Sequence, residues 1–133
     1  MQLAIGLVAG LVAVVWSVWI TRRQSLAMAA RFPRWERAAW ASYLLMAALI
    51  YVGFAYAAPA PWPGRELLGV LGYGTLAGLG FFVSPKLLAL GWLLHAGWDT
   101  VLHGPATPFV PQWYRWACLV YDFAAAFYIA RRL

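Results

Sequence analysis

Acidic side chains are scarce in this chain: Glu36, Glu66, Asp99 and Asp122 are the only four in 133 residues. Charged residues of both signs amount to 11% and hydrophobic ones to 65%, where a soluble domain carries about 45–50% apolar positions. That balance, with a mean hydropathy of +0.72, excludes an ordinary soluble domain and implies an integral membrane protein. Cys118 is the sole cysteine, so no intrachain disulfide forms and no redox compartment can be read from it. GxSxG is absent, Ser42 and Ser84 have no paired base in sequence reach, and Gly72-Tyr73-Gly74 followed by Gly78 does not fit a phosphate loop.

What the chain has in place of charge is long apolar runs. A spanning helix needs about 20 mainly apolar residues, which divides the sequence into five segments: 2–20, 38–58, 66–84, 86–103 and 112–130. The first run exceeds a signal-peptide core, which is about 7–15 residues, so it reads as a retained transmembrane helix. The third and fourth segments are separated by Ser84-Pro85-Lys86, where serine can cap a helix, proline suits its first position and lysine brings charge to the interface. Residues 21–37 are short and basic, with Pro33 as a breaker. The expected fold is one all-α domain, a bundle of five transmembrane helices.

The formal net charge of +6 does not suggest nucleic acid, because the basic residues flank apolar runs rather than forming a stripe. With the amino terminus outside and the carboxyl terminus cytoplasmic, every Lys and Arg except Arg65 and Arg115 falls on the inner side. That is the positive-inside pattern of a multi-pass protein of the bacterial plasma membrane. The outer loops are then APAPWPGRE (58–66) and GPATPFVPQW (104–113), with Trp62 and Trp113 at belt positions. GxxxG spacing at Gly6 and Gly10, and again at Gly74 and Gly78, permits close helix approach and so self-association through glycine-rich faces. Tyr114, Tyr121 and Tyr128 recur at heptad spacing, as core positions do.

Against this background HAGWDTVLH (95–103) stands out. Both histidines of the chain and one of its four acids lie there, and Asp122 lies within the fifth segment. A charge at the bilayer centre costs at least about 2.5–3.5 kcal/mol, so such residues are functional candidates that need partners. At i, i+4 and i+8, His95, Asp99 and His103 share one helix stripe; Asp122, Cys118 and Arg115 share another on the next, antiparallel helix. At about 1.5 Å rise per residue, His95 and Asp122 lie at equal depth, Asp99 is level with Cys118, and His103 is near the outer surface beside Arg115. Two such stripes should enclose one site.

Imidazole and carboxylate suit Zn, Fe, Cu or Mn. The outer histidines are about 12 Å apart along the helix, too far to share one ion with Asp99 between them. The options are His95 and Asp99 with Asp122, or Asp99 and His103 with a loop group, or Asp99 bridging two ions. A haem clamped by both histidines is excluded by their common face. The same residues also compose a proton relay or polar-ligand site, or plain hydrogen-bonding between helices. Asp122 and His103 are the candidate acid/base groups, Arg115 the anion or carboxylate partner, with Cys118 and Tyr121 lining the site.

HxxxDxxxH, followed by PQWY (111–114) and CxxYD (118–122), resembles a family of small bacterial multi-pass membrane proteins of unknown function, over about residues 90–125. The resemblance implies a membrane fold and no activity. Five Trp-rich helices are also similar to the tryptophan-rich sensory proteins, but their WxPP motif is missing. The expected function is metal-dependent chemistry on a lipidic small molecule in the bilayer. The alternative is a small transport or accessory subunit using the His/Asp cluster for protons or a ligand.

Overall fold

The computed structural model describes residues 1–25, 32–58, 64–103, 107 and 109–133. Among them the chain is all-helical, with five helices: α1 (Gln2–Ser25), α2 (Arg34–Ala57), α3 (Gly64–Phe82), α4 (Pro85–Val101) and α5 (Gln112–Arg132). Two of them, over Gln2–Gln24 and Arg34–Ala57, are long and apolar enough to cross a membrane. At 17 residues, α4 is shorter than a full span of about 20.

Three of the boundaries that depart from the sequence expectation have a local reason. α1 continues to Ser25 rather than ending at 20, because Arg22 and Arg23 are good helix formers whose charge suits the last turn, and the Thr21 hydroxyl is taken up by the Ser17 and Val18 carbonyls. α2 begins at Arg34 rather than 38, directly after Pro33 in extended backbone. α4 starts on Pro85 as expected, with Ser84 in the cap position, although its hydroxyl makes no capping bond. It ends at Val101, where the amides of Leu102 and His103 both donate to the Trp98 carbonyl. His103 thus leaves the helix. Most of the 58–66 loop with Trp62, residues 26–31, and residues 104–106 and 108 lie outside the described residues.

α1 and α4 pack along α5, α3 packs on α4 and α2, and α2 meets α1 and α4 only lightly. The α1 contact is set by glycine: a Cβ on Gly6 would stand 2.3 Å from the Trp113 carbonyl oxygen, and one on Gly10 2.3 Å from that of Ala117. This GxxxG face is therefore taken up by α5 within the chain. Gly78, in contrast, has nothing within 4 Å of where its Cβ would be. Trp40 and Trp92, edge to face at 6.2 Å, form the centre of the core with Leu44, Leu88 and Ile129. Tyr121 and Tyr128 stack on Trp40, as core residues of the heptad stripe.

The ends of the bundle differ. At one end Arg132 pairs with Glu36 at 2.9 Å and Arg34 lies over the Phe81 ring, so the last turns of α3 and α5 meet the first turn of α2. Arg65 and Arg115 are at the opposite ends of their helices. Polarity is inverted relative to a water-soluble bundle: all four acids and both histidines are buried, while large apolar side chains face outward on every helix.

Candidate metal centre

α4 supplies His95 and Asp99 one turn apart, and α5, antiparallel to it, supplies Asp122 at the level of His95. His95 Nδ1 is 2.9 Å from Asp122 Oδ2 and 3.6 Å from Asp99 Oδ2. One donor atom from each of the three residues lies within 4.8 Å of the others, and all three side chains are buried. Ligands held tetrahedrally at about 2.0–2.1 Å from an ion stand about 3.3 Å from one another. The two short edges of this triangle bracket that value. The spacing suits a shared metal ion.

Polar accounting points the same way. Neither oxygen of Asp99 has a hydrogen-bond partner of ordinary geometry, its carboxyl lying against the Tyr51 hydroxyl and the Asp122 carboxyl, and His95 Nε2 has none either. The imidazole is held by packing, edge-on against Tyr73 at 4.9 Å and Tyr51 at 5.9 Å. Tyr73 is itself fixed, its hydroxyl donating to the Leu94 carbonyl. Two carboxylates side by side in an apolar interior require a counterion or a proton, because an unpaired buried charge costs several kcal/mol.

The remaining candidates are placed differently from the expectation. His103 is not part of the donor group. Because α4 stops before it, the i, i+8 stripe is broken, and its Nε2 lies 3.3 Å from Glu66 Oε1 on α3. Among the described residues the donor group takes Asp99 with His95 and Asp122, and not with His103. Arg115 reaches His103 but not by charge: its Nη1 donates to the His103 carbonyl at 2.6 Å. No carboxylate among the described residues lies within ion-pair distance of Arg115. Tyr121 donates to Ser17 Oγ, which tethers α1, and with Cys118 it lines the cavity that Asp122 borders. Cys118 is buried beside the two aspartates, outside the donor group.

Two residues of this region were not singled out by sequence reasoning. Glu66, 4% exposed, accepts from His103 and pairs with Arg65 at 3.3 Å. Tyr51, 1% exposed, stacks on His103 at 4.3 Å, and its hydroxyl is turned toward Asp99 and Cys118 without a hydrogen bond of ordinary geometry to either. The signal for Glu66 was its type, one of only four acids; Tyr51 resembled any aromatic in an apolar run.

Two cavities flank the centre. One of about 250 Å³ lies between α1, α2 and α5, walled by Ala13, Met46, Ala47 and Ile50 with Trp92 and Asp122 on its floor. The other, about 210 Å³, lies between α4 and α5 and is bordered by Asp99, His103 and Arg115. Compared with protein-family models, curated proteins and solved structures, the chain matches none of them.

Proposed function

We propose that this chain is a multi-pass membrane protein, amino terminus outside and carboxyl terminus cytoplasmic, in which His95, Asp99 and Asp122 hold one divalent transition metal ion. Zn, Fe, Mn and Cu are the ions that one imidazole and two carboxylates suit. The observation that carries this reading is the triangle itself: buried Asp99 stands 3.6 Å from an imidazole nitrogen that already lies beside a second carboxylate, and one donor atom of each residue lies within 4.8 Å of the others. A dication neutralises both aspartates at once.

Support for five spans comes from the inverted polarity. Leu68, Leu71 and Phe82 of α3, Leu93 and Leu94 of α4, and Phe123 and Phe127 of α5 face outward as do Val8 and Trp16 of α1. Such a surface would aggregate in water. A short α4 is accommodated by local bilayer thinning or by the buried turn that follows it. The end bearing Arg34, Arg131 and Arg132 is then the cytoplasmic one.

An ion at this position would polarise a bound oxygen or activate water for oxidation or hydrolysis. The cavity that Asp122 borders lies between α1, α2 and α5 and is mostly apolar, which suits a substrate with a hydrocarbon chain. A second reading, proton conduction, is favoured by one arrangement: the Tyr51 ring lies between His95 and His103, and His103 leads on to Glu66 and the half-exposed Arg65. Elemental analysis of detergent-purified protein separates the two. One metal per chain, lost in Asp99→Ala, supports the centre; a folded, metal-free wild type contradicts it.

A further inference from the structure

Among the described helices α5 alone packs closely along α1, and α2 touches it lightly. Beside that contact lies a groove of about 730 Å³, walled by Leu11, Val14, Val15, Val18 and Trp19 of α1 and by Ala124 of α5. Arg22 and Arg23 line its end. Val14 is buried while Leu11, Val15 and Trp19 are about half-exposed, so the groove has an apolar floor and an open side.

Its place along the helix is informative. From Leu11 to Arg23 the helix rises about 18 Å, and half the hydrocarbon core of a bilayer is about 15 Å. The groove therefore follows one leaflet, from near the bilayer centre to the interface. Trp19 falls at the level of an aromatic belt, with the Arg23 guanidinium over its ring at 5.3 Å. A neighbouring transmembrane helix would follow α1 through both leaflets. An apolar trough one leaflet long, with two cations at its mouth, matches a single lipid in length and in polarity.

Charge says which kind of lipid. No carboxylate among the described residues lies within ion-pair distance of Arg22 or Arg23, and both side chains are exposed. Glu36, the acid at this end of the bundle, already accepts from Tyr128 and Arg132. Two guanidinium groups that hold only N–H donors and positive charge suit a phosphate with no compensating cation of its own.

We propose that this groove binds one phospholipid with a negatively charged head group, its acyl chain lying along Leu11, Val14, Val15 and Val18 against Ala124 and its phosphate held by Arg22 and Arg23. The site rests on the membrane reading and is independent of the ion.

The test uses the full chain in uncharged detergent, titrated with phosphatidylglycerol, phosphatidylcholine and inorganic phosphate and followed by native mass spectrometry. The expectation is one phosphatidylglycerol per chain, preferred over phosphatidylcholine by about tenfold or more, as two arginines at an anionic surface imply. Replacing both arginines (Arg22→Gln with Arg23→Gln) brings the preference to within about twofold, and either change alone takes away about half of the effect. Arg34→Gln, at the same end but over the Phe81 ring of α3, leaves the preference in place. Ala124→Trp fills the groove and weakens retention of phosphatidylglycerol without touching a charge. Equal retention of the two lipids overturns the site, and so does an equal loss in Arg34→Gln, which would make the preference a general property of the basic end. Inorganic phosphate that competes as well as the lipid overturns the acyl-chain contact and leaves a free-anion site. A lipid-free dimer that Val15→Trp dissociates gives the groove to a second copy of the chain and overturns it likewise. Wild-type protein that is folded and monomeric in buffer without detergent sinks the membrane reading itself, whereas a detergent-dependent protein with no lipid preference sinks the groove alone.

Discussion

His95 Nδ1 and Asp122 Oδ2 stand 2.9 Å apart although the two residues are separated by 27 positions and lie on different helices. The pairing fixes the register of α4 against α5 and brings Asp99, one turn further along α4, to the same point. A single structural relationship thus sets both the packing and the proposed chemistry. Substitutions at Asp122 can tell these apart.

Asp122→Asn keeps an acceptor for His95 and removes the negative charge. A residue that served only as helix glue would tolerate this with a change in stability of about 1 kcal/mol or less. The metal account predicts instead that the protein stays folded and metal affinity drops by about 100-fold or more, beyond the about 10–100-fold typical of supporting residues. Metal titration of the chelator-treated protein reads the difference.

Glycine at position 10 is predicted to be required for α1 docking. A Cβ there meets the Ala117 carbonyl at 2.3 Å, a backbone atom that cannot step aside. Gly10→Leu should destabilise the folded protein by about 1–3 kcal/mol, whereas Gly78→Ala, with open space around it, should be neutral or stabilising by up to about 1 kcal/mol. Thermal denaturation of the two variants in detergent, compared side by side, checks this.

Glu36 is fully buried and accepts hydrogen bonds from Tyr128 and Arg132 at the basic end of the bundle. Glu36→Ala leaves the Tyr128 hydroxyl and part of the guanidinium without partners, at an expected cost of about 1–3 kcal/mol. Because this cluster is remote from the proposed ion, metal content should be unchanged. A loss of metal without a loss of stability would contradict that separation.

Topology makes an independent prediction. With reporter tags fused at either end, the amino-terminal tag should be active only outside the cell and the carboxyl-terminal tag only inside. The reverse result would place the Arg34 and Arg132 end outside and invert the proposed orientation.

How far the site was readable from sequence follows from helix geometry. The rise of a helix is fixed, so counting residues inward from two adjacent boundaries sufficed to set His95 level with Asp122. The side-chain period likewise sufficed to align Asp99 with His95. His103 failed because the stripe argument assumed a helix through residue 103; Gly104 and Pro105 in the sequence were the available warning, since the residues before a proline disfavour helix. Tyr51 and Glu66 depend on how α2 and α3 are rotated about their own axes, and a uniformly apolar helix carries no stripe from which rotation can be read. The Gly6 and Gly10 spacing announced a close contact but not the partner, which turned out to be α5 of the same chain.

X-ray absorption at the edge of the bound metal tests the central claim most directly. The account predicts about one ion per chain with a first shell of nitrogen and oxygen only, one imidazole among the ligands, and loss of the signal in His95→Ala. A shell containing sulfur at about 2.3 Å would shift the ligand set to Cys118, and wild-type protein that is folded and binds no metal would contradict the account outright.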